Sequence, residues 1–172
     1  MKKLGMMGVM GMVVLCGAVS CLGAAAEEET PKHIEELFGD ELTDAEQEEQ
    51  PLSRLAGKKV GVYFSAHWCP PCRTFTPKLV KAYNEMQEKG YDFELVFVSS
   101  DRSEDDMYKY MEETNMPWLA VPHGSKTAAK LKERFGIRGI PTLVILDEEG
   151  EKVTQNGRRD VSVSGADAYE KW

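Results

Sequence analysis

Cys69 and Cys72 stand three positions apart in the stretch SAHWCPPCRTFTP, residues 65–77. They are the only thiols in the body of the chain, since Cys16 and Cys21 belong to the apolar N-terminal run. The spacing suits a redox pair, half of a zinc site, or a helix start without chemistry. A pair placed after a buried strand and at the start of a helix has a physical use. The helix N-terminus presents unpaired N–H groups and a partial positive charge. A thiolate there is stabilised and titrates below free cysteine. Pro70 and Pro71 lack N–H groups and have φ already set for a first helical turn. They stiffen the ring a disulfide would close, and they leave fewer donors for the Cys69 sulfur. A moderate depression of its pKa is therefore expected.

A zinc site would need two more ligands. There is no second Cys-x-x-Cys, and the only histidines are His33, His67 and His123. His67 lies two residues before Cys69, a spacing unlike common zinc sites. A purely structural disulfide is the blander alternative, although so tight a ring adds little loop-closure stabilisation.

The flanking elements must hold the pair in place. KKVGVYFSA is β-branched, aromatic and nearly continuous in apolar character, as a central strand buried on both faces would be. After the cysteines, Phe75, Leu79, Ala82, Tyr83 and Met86 follow helical spacing up to Gly90, and Pro77 is expected to kink this helix. FELVFVSS is a second buried strand, and Ser103 can cap the acidic-started helix after it. MPWLAVP reads as an extended connection, SKTAAKLKERFG as a helix, and IPTLVILD with EKVTQNG as a hairpin. Upstream, His33–Phe38 forms a short helix, and DELTDAEQEEQPL reads as two short edge strands around a turn at Ala45–Glu48. The order is β-α-β-α-α-β-β, and Met107, Tyr108 and Met111 read as core.

The chain has 172 residues, 42% hydrophobic and 29% charged, with a formal charge of −8. That fits one globular domain plus a leader. It argues against a nucleic-acid or anionic-membrane surface. Lys2 and Lys3, the uncharged apolar run Leu4–Gly23, and Ala24-Ala25-Ala26 have the layout of an export signal. Three outcomes are open: cleavage after Ala26, lipidation at Cys21 in an imperfect lipobox, or an uncleaved membrane anchor. Each places the body outside the cytoplasm, periplasmic or otherwise extracytoplasmic. The expected organisation is a signal peptide over 1–26, an acidic tether over 27–32 and a globular domain over 33–172.

Taken together, WCPPC, the downstream GIPT before a strand, VGVYFSAHWCPPCRTFTPKL, FELVFVSSDRSEDDMYKYM, MPWLAVP and RFGIRGIPTLVILDEEG resemble the thioredoxin superfamily. Within it they are most similar to the tryparedoxin and nucleoredoxin branch, from about Ile34 to Trp172. The resemblance implies an α/β fold, a three-layer sandwich with a central mixed sheet, the cysteines at a strand's carboxyl end, and residues 41–51 as an added N-terminal hairpin. It implies that Cys69 is the exposed nucleophile and Cys72 the buried resolving thiol. Trp68 would form a flat wall beside the sulfur. Ile140–Pro141 would be a cis peptide facing the disulfide, with the Ile140 backbone free to pair with an extended substrate.

Ordinary bacterial thioredoxins carry a buried carboxylate where this chain has Tyr63, which leaves open the proton acceptor for Cys72. Glu94 and water are candidates. His67 either raises the local positive potential or is an exposed loop residue. Arg73 supports Cys69, grips an acidic partner, or is simply solvated. The implied function is thiol–disulfide exchange on protein thiols and disulfides, without metal or organic cofactor, coupled to a further electron donor or acceptor. A dedicated reductant similar to those of cytochrome c maturation, and a non-enzymatic adaptor with an idle disulfide, are the rival readings.

Overall fold

The computed structural model describes residues 30–172. The export segment, Cys21 and residues 27–29 of the tether lie outside the described residues. The first helix, α1 (Lys32–Phe38), begins one residue earlier than expected and buries Ile34, Leu37 and Phe38.

Two parallel strands form the centre, β3 (Lys59–Ser65) and β4 (Phe93–Ser99), in register from Lys59 opposite Phe93 to Ser65 opposite Ser99. On one side β6 (Thr142–Leu146) runs antiparallel to β3, with β7 (Lys152–Thr154) outside it. On the other side β5 (Leu119–Ala120) runs parallel to β4. The hairpin of β1 (Leu42–Thr43) and β2 (Glu49–Gln50) joins antiparallel through β1. The seven-stranded order is β2-β1-β5-β4-β3-β6-β7. Two expectations are corrected here. MPWLAVP contains a strand, not just a connection, and β1 is interior, so only β2 of the hairpin is an edge. Two-residue strands carry no periodic signal; they exist because β4 and β1 supply hydrogen-bond partners.

Alternation along the central strands splits the core into two layers. Tyr63, Phe93, Leu95, Phe97, Leu143 and Ile145 face the layer built by α2 (Pro70–Glu88), α3 (Glu104–Glu113) and α5 (Gly157–Ser164). Val60, Val62, Phe64, Val96, Val98, Val144 and Leu146 face α1 and α4 (Lys126–Arg134). The sequence order omitted α5 and the 3-10 turn Gly165–Lys171 after it. α5 packs closely on β6, since a Cβ at Gly157 would stand 2.9 Å from Leu143 Cγ. The turn brings Tyr169 onto Tyr91, stacked at 4.2 Å. The Ser103 and Ser125 caps form as expected, accepting from the amides of Asp106 and Ala128. α2 continues through Pro77 to Glu88.

This topology brings three loops to one end of the sheet. Parallel β3 and β4 finish side by side at Ser65 and Ser99. Antiparallel β6 starts at that same end, with Thr142 opposite Phe64. The cysteine loop, the loop after β4 and the Ile140–Pro141 segment therefore converge.

Candidate active site

Cys69 is the N-cap of α2, and Pro70 and Pro71 open the helix. A disulfide joins Cys69 to Cys72, with Cα atoms 5.2 Å apart. Cys72 is fully buried, and Cys69 keeps 5% exposure. The difference has the direction expected of nucleophile and resolving thiol. However, in the disulfide form Cys69 is narrowly accessible and not openly exposed, because Ala66 and Ile140 pack against the pair. Ile140–Pro141 is cis, and the Ile140 carbonyl oxygen lies 3.8 Å from Cys69 Sγ.

Trp68 is 55% exposed and held at its edge, its Nε1–H donating to the Ser100 carbonyl at 3.0 Å. The His67 backbone N–H donates to Asp101 Oδ1 at 2.8 Å. Asp101 is itself buried and accepts from Ser99 Oγ at 2.8 Å. Lys132 Nζ donates to the Ser99 carbonyl at 2.9 Å, and partial burial lowers its pKa. Asp101 and Ser99 thus clamp the cysteine loop to the end of β4. Sequence reading missed both residues; the only local signal was a polar SSD directly after a buried strand.

His67 is not a simple exposed loop residue. Its Nε2 lies 2.8 Å from Glu113 Oε2, and its ring packs on Tyr110 with centroids 5.5 Å apart. Arg73 is exposed, in the first turn after Cys72, and has no ion pair among the described residues.

Glu94 does not reach the cysteines. It is opposite Val60, at the far end of β3 and β4 from Ser65 and Ser99. Five strand residues at about 3.3 Å each separate the two ends by roughly 16 Å. There Glu94 accepts from Tyr83 Oη at 2.7 Å and pairs with Arg54 at 3.7 Å and Lys58 at 3.9 Å.

Tyr63 is buried behind the site and no proton acceptor, because burial pushes its hydroxyl well above the ordinary tyrosine value. Its Oη is 2.7 Å from Thr76 Oγ1, which is 2.5 Å from Tyr110 Oη, which is 3.2 Å from Ser65 Oγ. Thr76 Oγ1 also lies 3.0 Å from the Cys72 carbonyl. A chain of neutral hydroxyls therefore fills the space under the resolving cysteine. Thr76, Tyr110 and Ser65 come from three elements, so no local pattern in the sequence marked them. Among the described residues no cluster of three or more His, Cys, Asp or Glu could hold a metal ion.

Fold and site together define the class, a thioredoxin-like protein with a Cys-x-x-Cys disulfide at the start of a helix. Residues 57–152 match the thioredoxin-like family. The chain is 47% identical over 132 residues to nucleoredoxin of Bos taurus, covering 76% of this chain and 30% of that protein. It thus spans about a third of the length of the curated relatives it matches. A thioredoxin from Wuchereria bancrofti superposes with TM-score 0.69 at 44% identity, over 74% of this chain and 89% of the other. Tryparedoxin II from C. fasciculata superposes with TM-score 0.70 at 34% identity, over 78% and 93%. The chain belongs to the thioredoxin superfamily, in its tryparedoxin/nucleoredoxin-like branch.

Proposed function

We propose that this protein is an exported thiol–disulfide oxidoreductase that acts on protein cysteines through WCPPC. The observation that carries the reading is the Cys69–Cys72 disulfide at the start of α2, with Cys69 the more accessible sulfur and the Ile140 carbonyl beside it. In the reducing direction, the Cys69 thiolate attacks one sulfur of a client disulfide. A Cys69–client bond forms, and the other client sulfur leaves as a thiolate. The Cys72 thiolate then attacks Cys69 Sγ and releases the second client thiolate. The client gains two electrons, and two protons from solvent restore its thiols. The protein is left as the Cys69–Cys72 disulfide, and a dithiol reductant must return the electrons. No metal or organic cofactor enters these steps.

The residues each have a part. The helix N-terminus stabilises the Cys69 thiolate. Trp68, fixed by Ser100, gives the client a flat wall. The Ile140 backbone offers an extended client segment a hydrogen-bonding edge. Turnover in an insulin-reduction assay tests the activity. Loss of turnover in Cys69→Ser is expected, and turnover equal to wild type in that variant would overturn the reading.

Export is the second part of the proposal. Lys2, Lys3, the apolar run and Ala24-Ala25-Ala26 support it. Mass spectrometry of the native N-terminus tests it. A new terminus at Glu27 indicates cleavage, and a lipid-modified Cys21 indicates tethering. An intact Met1 in an extracytoplasmic membrane fraction indicates an uncleaved anchor, whereas an intact Met1 in a cytoplasmic fraction would reject export.

A further inference from the structure

β4 loses its neighbour before it ends. The Val121 N–H donates to the Phe97 carbonyl at 2.9 Å, and the chain then turns at His123 and Gly124. Alternate carbonyls of a strand face the same neighbour, so the next one on this edge belongs to Ser99. No strand meets it. Its partner is Lys132 Nζ, from α4, at 2.9 Å. An ammonium thus fills a ladder position where water could have served.

Lys132 is costly there. It is half-buried, and the Ser99 carbonyl is its one hydrogen-bond partner among the described residues. Nor has it an ion pair among them. Desolvation lowers its pKa, and the Asp101 carboxylate offsets only part of that effect. A cation kept against desolvation beside a buried acid marks a place where its position matters.

What Lys132 holds leads to the cysteines. The Ser99 hydroxyl donates to Asp101 Oδ2 at 2.8 Å and accepts from the Asp101 N–H at 2.9 Å. Asp101 Oδ1 accepts from the His67 N–H at 2.8 Å, and the Ser100 carbonyl accepts from Trp68 Nε1–H at 3.0 Å. His123 adds a second tie, with Nε2 3.0 Å from the Asp101 carbonyl. His67 and Trp68 directly precede Cys69, the N-cap of α2. Residues 99–101 are therefore fixed from α4 on one side and fix the approach to Cys69 on the other. A cavity of about 330 Å³, lined by Lys132, Ser99, Asp101, His123 and Ala128 among others, lies along this link.

We infer that Lys132 is a positioning residue for the exchange reaction: it closes the open end of β4 and so holds the Ser99–Asp101 loop, His67 and Trp68 in the arrangement that seats Cys69 on the N-terminus of α2. The inference rests on the reaction proposed above and adds to that site a residue from another helix. A thiolate gains from a helix terminus only while its sulfur stays there, because the effect falls off within the first turn. Without Lys132 the loop loosens, the Cys69 thiol titrates higher, and less thiolate is present at neutral pH.

The test uses the full, reduced protein, with Lys132→Met, Lys132→Gln and Lys132→Arg beside wild type. Reduction of uncharged 2-hydroxyethyl disulfide is followed across pH by stopped-flow tryptophan fluorescence, and urea midpoints are measured in parallel. Methionine keeps most of the stem but neither the donor nor the charge. The rate at neutral pH should then fall about two- to five-fold, with the pH profile displaced upward, and should meet the wild-type rate well above the thiol's pKa. Lys132→Gln, uncharged and too short to reach Ser99, should behave alike and stands in if methionine prevents folding. Lys132→Arg keeps charge and donors, has the cavity to enter, and should restore the wild-type profile. A lower urea midpoint with an unchanged profile in the Met or Gln variant would reduce Lys132 to a structural residue and overturn the inference. A displaced profile that arginine fails to restore would also overturn it. Failure of the wild-type protein to reduce the probe would overturn the exchange reaction, and the positioning role with it.

Discussion

The carbonyl oxygen of Ile140 lies 3.8 Å from Sγ of Cys69, although the two residues come from different loops. β6 makes this possible by entering the sheet antiparallel to β3, so that its first residues meet the last residues of β3. A client strand laid along residue 140 would pass directly over the accessible sulfur.

The first expectation concerns Cys69 itself. In the reduced protein its thiol should titrate below about 8.5, because it caps α2. Iodoacetamide labelling across pH measures this. An apparent pKa at or above that value would remove the argument for activation by the helix.

Roles of the two sulfurs should separate in trapping experiments. Cys72→Ser leaves a mixed disulfide with no resolving thiol, so client adducts on Cys69 should accumulate. Cys69→Ser should trap little, since Cys72 is fully buried. Equal adduct yields from both variants on non-reducing gels would reverse or erase the assignment.

Thr76→Val tests the hydroxyl chain under the site. Valine keeps the shape but removes the oxygen that meets Tyr63, Tyr110 and the Cys72 carbonyl. Buried hydroxyls left without a partner cost about 1–3 kcal/mol. The urea midpoint should fall accordingly, and an unchanged midpoint would show that the chain contributes nothing.

Asp101→Ala removes the acceptor for the His67 amide and the Ser99 hydroxyl. Deuterium exchange at the His67 amide should accelerate at least several-fold as the clamp opens. Unchanged protection there would mean that the cysteine loop is held by Trp68 and packing alone.

Alkaline pH should weaken the fold through Tyr63. Burial raises its folded pKa above 10.0, the ordinary value. Between those two values the unfolded chain releases the proton and the folded chain keeps it. Stability is therefore full below pH 10 and falls as pH rises above it, by at most about 1.4 kcal/mol per pH unit for one such group. Tyr63→Phe should show a shallower decline above pH 10 than wild type in urea titrations. Parallel declines would count against the argument.

What the sequence determined was local. A Cys-x-x-Cys at a strand-to-helix junction, apolar runs for β3 and β4, helical spacing from Phe75 to Met86 and serine caps at 103 and 125 all depend on near neighbours along the chain, and the structure has each of them. The likeness of the ordered motifs added the sheet type and the Ile140–Pro141 segment, which no periodicity could have indicated. Tertiary structure decided the rest, because those features need partners distant in sequence. β5 is two residues long and is a strand only because β4 and β1 flank it. Glu94 has the chemistry of a proton acceptor, but register puts it at the wrong end of the sheet. His67 meets Glu113, and Asp101 meets the His67 amide, only after α3 and the end of β4 pack beside the cysteine loop. A buried polar group takes its partner from whatever the fold brings within about 3 Å. The residue types were legible in the sequence, but only the pairing of strands and helices decided which of them would meet.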